Sequence, residues 1–192
     1  MNKISMPISN DFCPQTMFLY GTYKEDGTPN FGLFSWFSYC WDGELCVMAC
    51  IGGEKLTKDR IRSTGIFSAN LVSEALLPLA DYYGNIEGYD PHKMEVMAET
   101  MPGQALNVPV LKDSPWSFEL EVKKTLSLDD SDIFVCKIKN IMADESLTDE
   151  GKSLEERILS AAPITQTCQS YFSFTGKYLG KWGEPKGKIK QD

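Results

Sequence analysis

The stretch Trp116–Leu128 (WSFELEVKKTLSL) alternates apolar and polar side chains, and Ile133–Ala143 answers it across Asp129-Asp130-Ser131-Asp132. Successive strand side chains point to opposite faces, so this two-residue period predicts a long, half-buried antiparallel hairpin. The front of the chain has the same character. Met17–Tyr23 (MFLYGTY) is rich in β-favouring residues and is followed by the turn signals Asp26-Gly27 and Pro29-Asn30. Phe31–Tyr39 (FGLFSWFSY) reads as a second strand. Glu44–Ile51 (ELCVMACI), between the turn at Trp41-Asp42-Gly43 and the pair Gly52-Gly53, reads as a third. Short turns between these runs predict a three-stranded meander.

Helical signals are fewer. Thr57 can cap a short helix that Gly65 stops, Ile66–Leu71 reads as a strand, and Ser73 opens a second helix whose regular part begins near Pro78. A short helix is expected at Pro91–Met97 and another at Ser153–Ala161, with a last strand at Ser170–Thr175. The fold class is therefore mainly β, a β-rich α+β domain over 1–176 with a Gly/Lys/Pro tail, 177–192.

With 27 acidic against 19 basic residues, the net charge is -8, which disfavours nucleic acid and anionic membrane as partners. No apolar run approaches the roughly 20 residues needed to span a bilayer, and the N-terminal residues MNKISMPISNDFCPQ carry no signal-peptide stretch, so a cytoplasmic protein is expected. The six cysteines form no CxxC pair and are read as reduced and mostly buried; His92 is the single histidine, and no GxSxG is present. The absence of a CxxC pair argues against structural zinc, and a single His weakens a Ser-His-Asp triad or a Cys-His pair. Any catalysis would then rest on a cofactor.

The stretch Cys50–Arg62 (CIGGEKLTKDRIR) is where one could bind. Between positions 55 and 62 it holds Lys55, Lys58, Arg60 and Arg62 against a single acid, Asp59, beside two glycines and a helix start. Backbone that can approach closely, free amides and clustered cations together suit a phosphate, although a solvated basic helix would look the same. Neither a Walker A loop nor a GxGxxG is present. On the second strand, aromatic residues alternate with serines over Phe34–Tyr39, which suits either a planar ring or plain core packing. His92 and Lys93 read either as ligand contacts or as an exposed loop pair.

Several short motifs occur in order: Pro14-Gln15-Thr16, Gly21-Thr22-Tyr23, Gly27-Thr28-Pro29-Asn30, Ser35-Trp36-Phe37, Lys55-x-Thr57, Gly65-Ile66-Phe67, Asn70-Leu71, Gly84 to Lys93 and Tyr171 to Gly180. Together they resemble the flavin reductase-like, FMN-binding split-barrel family. The resemblance implies a six-stranded antiparallel Greek-key split barrel with flanking short helices, a homodimer, and FMN as cofactor near the subunit interface. It implies Asn30, Ser35, Trp36 and Phe37 near the ring and ribityl chain, Cys50, Ile51 and Gly52 at the ring edge, and Lys55, Thr57 and Lys58 at the phosphate. Where the family often shows Asn in the helix turn after the Thr, this chain has Asp59-Arg60. NADH or NADPH, or a redox-partner protein, would supply electrons. An electron carrier without turnover and a haem- or tetrapyrrole-binding split barrel are the alternatives.

Overall fold

The computed structural model describes residues 2–182, 184 and 185. Its strands are β1 (Gln15–Thr16), β2 (Phe18–Tyr23), β3 (Pro29–Phe34), β4 (Phe37–Trp41), β5 (Leu45–Gly52), β6 (Ile66–Leu71), β7 (Thr100–Pro102), β8 (Pro109–Leu111), β9 (Trp116–Ser127), β10 (Ser131–Ala143), β11 (Ile164–Thr167) and β12 (Ser170–Ser173). The helices are α1 (Leu56–Thr64), α2 (Leu77–Asn85), α3 (Glu145–Thr148) and α4 (Leu154–Ala161), with a 3-10 turn at Pro91–Glu95.

The alternating runs pair as the predicted hairpin, from Trp116 opposite Ala143 to Ser127 opposite Asp132. They lie inside an antiparallel sheet of order β3-β2-β6-β9-β10-β5-β4. In a flat sheet β2 and β4, five places apart, would stand about 24 Å from one another. Their rings nonetheless touch: the Phe18 and Phe37 centroids are 4.3 Å apart, and Phe37 lies 5.6 Å from Phe118 of β9. The sheet therefore curls around a core of aromatic and aliphatic side chains that includes Tyr20, Val47, Phe67, Leu120 and Phe134. Its edges β3 and β4 share no ladder, which makes it a split barrel.

The sheet has seven strands rather than six, because the expected strand Phe31–Tyr39 breaks at Ser35-Trp36. Its first half pairs with β2 and its second with β5. Turning that corner lets one stretch of chain serve both edges, and Cys50 N donates to Trp36 O (2.9 Å) at the bend. The expected meander is accordingly two hairpins, β2–β3 and β4–β5, at opposite edges.

Gly65 ends α1 in the left-handed region (φ 72°), donating its N–H to Ile61 O. Thr57 is not the cap: Lys55 holds that position and no side chain caps the helix. Ser153 and Glu156 form a reciprocal capping box that starts α4. A second apolar cluster, built from Leu19, Phe31, Leu76, Ala80 and Tyr83, seats α2 on the outer face of the β2–β3 hairpin. The small sheet β1-β11-β12 stands beside it. Of the tail lysines, Lys177 and Lys181 are described, whereas Lys186, Lys188 and Lys190 lie outside the described residues.

Candidate functional site

The corner between β3 and β4, the end of β5, the start of α1, the end of α2 and the β11–β12 hairpin enclose an open cleft of about 420 Å³. Leu33, Phe34 and Met17 supply apolar wall, and Trp36, half exposed, stands at its edge. Gln166 and Tyr171, directly paired across β11 and β12, form the opposite wall. Tyr171 donates to Asp81 Oδ1 at 2.6 Å, and burial together with that carboxylate pushes its hydroxyl up to about 12.

Past Lys55 the cleft narrows to a recess of about 40 Å³ between α1 and the segment 83–93. Two glycines make the narrowing possible. A Cβ at Gly32 would stand 2.9 Å from Thr57 Oγ1, and one at Gly88 would stand 2.6 Å from Leu56 Cβ. The recess is lined by Thr57, Lys55, Glu87 and Lys93. Lys55 Nζ donates to both oxygens of Glu87, at 2.8 and 3.2 Å, and this holds the Glu87 carboxyl below its ordinary range.

Lys93 is buried, with 3% of its surface exposed. Among the described residues no carboxylate pairs with its ammonium; its near neighbour is the Tyr83 ring, 5.9 Å from Nζ to centroid. Burial, reinforced by the charges of Lys55 and Lys24 against the pull of Glu87, pushes Lys93 down to about 8. A buried cation without a counter-charge is costly, and here it faces a recess beside uncapped helix amides. Such a place favours an anion.

The sequence-expected residues divide accordingly. Ser35, Trp36, Cys50, Gly52 and Lys55 line the wide part, and Thr57 lines the recess with Lys55. The other four line neither part. Asn30 is buried behind the wall, where its Nδ2 donates to Thr57 Oγ1 (3.0 Å) and Thr22 Oγ1 (3.3 Å), leaving its Oδ1 without a partner among the described residues. Phe37 and Ile51 belong to the barrel core. Lys58 is buried and pairs with Glu54 at 3.4 Å.

The local charge excess is cancelled from a distance. Arg60 pairs with Glu25 at 3.2 Å, and Arg62 Nε holds the buried Asp132 at 2.6 Å. Asp59, where the resemblance suggested Asn, accepts from Tyr89 and braces the 86–90 turn against α1. Asn70, part of a quoted motif, is structural. It donates to Leu19 O and Ser68 Oγ and accepts from Leu111 N and Ser117 Oγ, stitching β2, β6, β8 and β9 together. His92 is exposed, 2.6 Å from Glu95, and does not line the cleft, so the loop pair His92-Lys93 splits into a surface and a cleft residue. Sequence reading missed Gln166, whose strand β11 has no alternation to betray it; it put Tyr171 on the last strand and in a quoted motif without giving it a place in the site, and it left Lys93 undecided because burial is not visible in a loop.

The sequence profile of the flavin reductase like domain family matches residues 10–159. No curated protein matches the chain. Among solved structures, flavoredoxin of Desulfovibrio vulgaris (Miyazaki F) superposes with a TM-score of 0.85 at 22% identity, over 96% of this chain and 100% of that one. Flavoredoxin from Methanosarcina acetivorans gives a TM-score of 0.85 at 21% identity, over 98% and 100%. The FMN-binding protein from Thermus thermophilus with bound p-hydroxybenzaldehyde gives 0.75 at 18%, over 94% and 97%. At such identities the likeness establishes the fold. Among the described residues no helix is long and apolar enough to cross a membrane.

Proposed function

This chain belongs to the flavin reductase-like family, whose business is flavin-linked redox chemistry, and from that premise we propose that it binds FMN in the cleft and passes electrons through it from NADH or NADPH. The observation that carries the reading is the pairing of an apolar, aromatic-edged cleft with a recess lined by the buried Lys93, which makes no ion pair among the described residues. A flavin mononucleotide has those two halves, an aromatic ring system and a phosphate monoester. When bound, the flavin supplies hydride and electron transfer.

The chain's own groups bind and orient. Trp36, Leu33 and Phe34 present apolar surface to a ring and exclude water from one side of it. Lys93 and Lys55, with the first amides of α1, would hold the phosphate. Thr57 is kept in place by Asn30, so its hydroxyl is pre-oriented at the recess. Cys50 N is already committed to Trp36 O, which assigns Cys50 to fixing the corner. Gln166 and Tyr171, on the opposite wall, face whatever enters beside the ring. Among the described residues the wide part of the cleft is lined by no carboxylate and no imidazole, which fits a cofactor that carries the chemistry itself.

Anaerobic mixing of the FMN-loaded protein with NADH and with NADPH is the test. Bleaching of the flavin absorption by either nucleotide is the expected result. Bleaching by a reduced protein donor alone would favour the electron-carrier reading, and failure to take up FMN would refute both. His92, the axial ligand on which a haem reading would rest, lies outside the cleft.

A further inference from the structure

The recess contains an anion of its own. Its charged lining is Lys55, Lys93 and Glu87, so two cations face one carboxylate. A phosphate monoester near neutral pH carries about -1.5 to -2. Two lysines match that charge; two lysines and Glu87 do not. The Lys55–Glu87 pair is also the contact best able to part, because its side chains are 39% and 64% exposed and separating them leaves no charge buried. The segment carrying Glu87 is held independently. Gly88 packs on Leu56, and the Tyr89 hydroxyl bonds to Asp59.

Resting on the phosphate reading above, we propose that Glu87 is a built-in competitor of the flavin phosphate for the Lys55 ammonium. Phosphate and carboxylate exchange on one cation, with Glu87 swinging toward solvent while Gly88 and Tyr89 stay in place. The consequence is a flavin held less tightly than its recess allows. Glu87 thereby sets the nucleotide to be exchangeable rather than permanently retained.

The test is a fluorescence titration of FMN and of riboflavin with the wild type, Glu87→Gln and Glu87→Ala, alongside thermal melts that check folding. Both variants should bind FMN about threefold to tenfold more tightly, the scale of a partly exposed ion pair plus relief of like-charge repulsion. Riboflavin, which lacks the phosphate, should bind unchanged. FMN should also leave more slowly, and in a Lys55→Met background the gain from Glu87→Gln should shrink. Unchanged or weaker FMN binding by folded variants would overturn the proposal, as would equal tightening of riboflavin. A wild type that prefers FMN while Glu87→Gln adds nothing would defeat the competitor role alone. A wild type that binds both flavins equally would defeat the phosphate reading along with it.

Discussion

Lys93 is the residue on which the recess depends. The residue is buried, its ammonium pairs with no carboxylate among the described residues, and it is pushed down to about 8, chiefly by burial. Replacing it by Met should weaken FMN about tenfold to a hundredfold, the range for hydrogen bonds to charged groups, and leave riboflavin untouched. The sign of the pH dependence follows from the shift. Below about 8 the lysine carries its charge, and above it the charge is lost unless phosphate is there to hold it. The phosphate is already a dianion in that range and Glu87 is ionised, so the lysine is the group that changes. FMN affinity should fall as pH rises from about 7 to about 9.5, and Lys93→Met should flatten the profile. A flat wild-type profile would remove Lys93 from the phosphate site.

At the scale of elements, β9 is held to the 103–108 loop by one carboxylate. Glu119 accepts from the amides of Gln104, Ala105 and Leu106 at 2.7 to 2.9 Å and from Asn140 Nδ2 at 2.8 Å. Burial pushes its carboxyl up, but these donors outweigh burial and hold it below its ordinary range. A carboxyl lowered on folding stabilises above its unfolded value and loses that stabilisation as pH falls through the folded one. Glu119→Gln should therefore cost about 2 kcal/mol at neutral pH, with the difference from wild type shrinking below about pH 4.5, as urea melts would show.

The long hairpin and the α1 stop at Gly65 were legible because period and turn chemistry are local. The break at Ser35-Trp36 was not, since the two halves of one apolar run are claimed by strands at opposite edges. Nor were β7, β8 and β11, which are three or four residues long and exist through their partners. The basic run Lys55–Arg62 drew attention to the right helix for an incomplete reason. Its excess charge is matched by Glu25, Glu54, Glu87 and Asp132, all outside that run, while Lys93, the buried lysine with no ion pair among the described residues, comes from another loop.

The molecule as a whole has an open side. Among the described residues the edge strand β4 pairs only with β5, and the β4–β5 hairpin exposes Tyr39 (57%), Trp41 (76%) and Leu45 (52%). Unpaired strand edges and clustered apolar side chains are surfaces that partners cover, and Trp36 places this hairpin beside the cleft. We propose that a second copy of the chain covers it. Light scattering should give twice the monomer mass, and Trp41→Glu with Leu45→Glu should halve it; a monomeric wild type would refute the assignment. The central claim, a flavin nucleotide held at both its ring and its phosphate, is tested most directly by titrating the purified protein with FMN and with riboflavin. The account predicts binding of both, with FMN tighter by about tenfold or more. Equal affinities, or no binding of either, would contradict it.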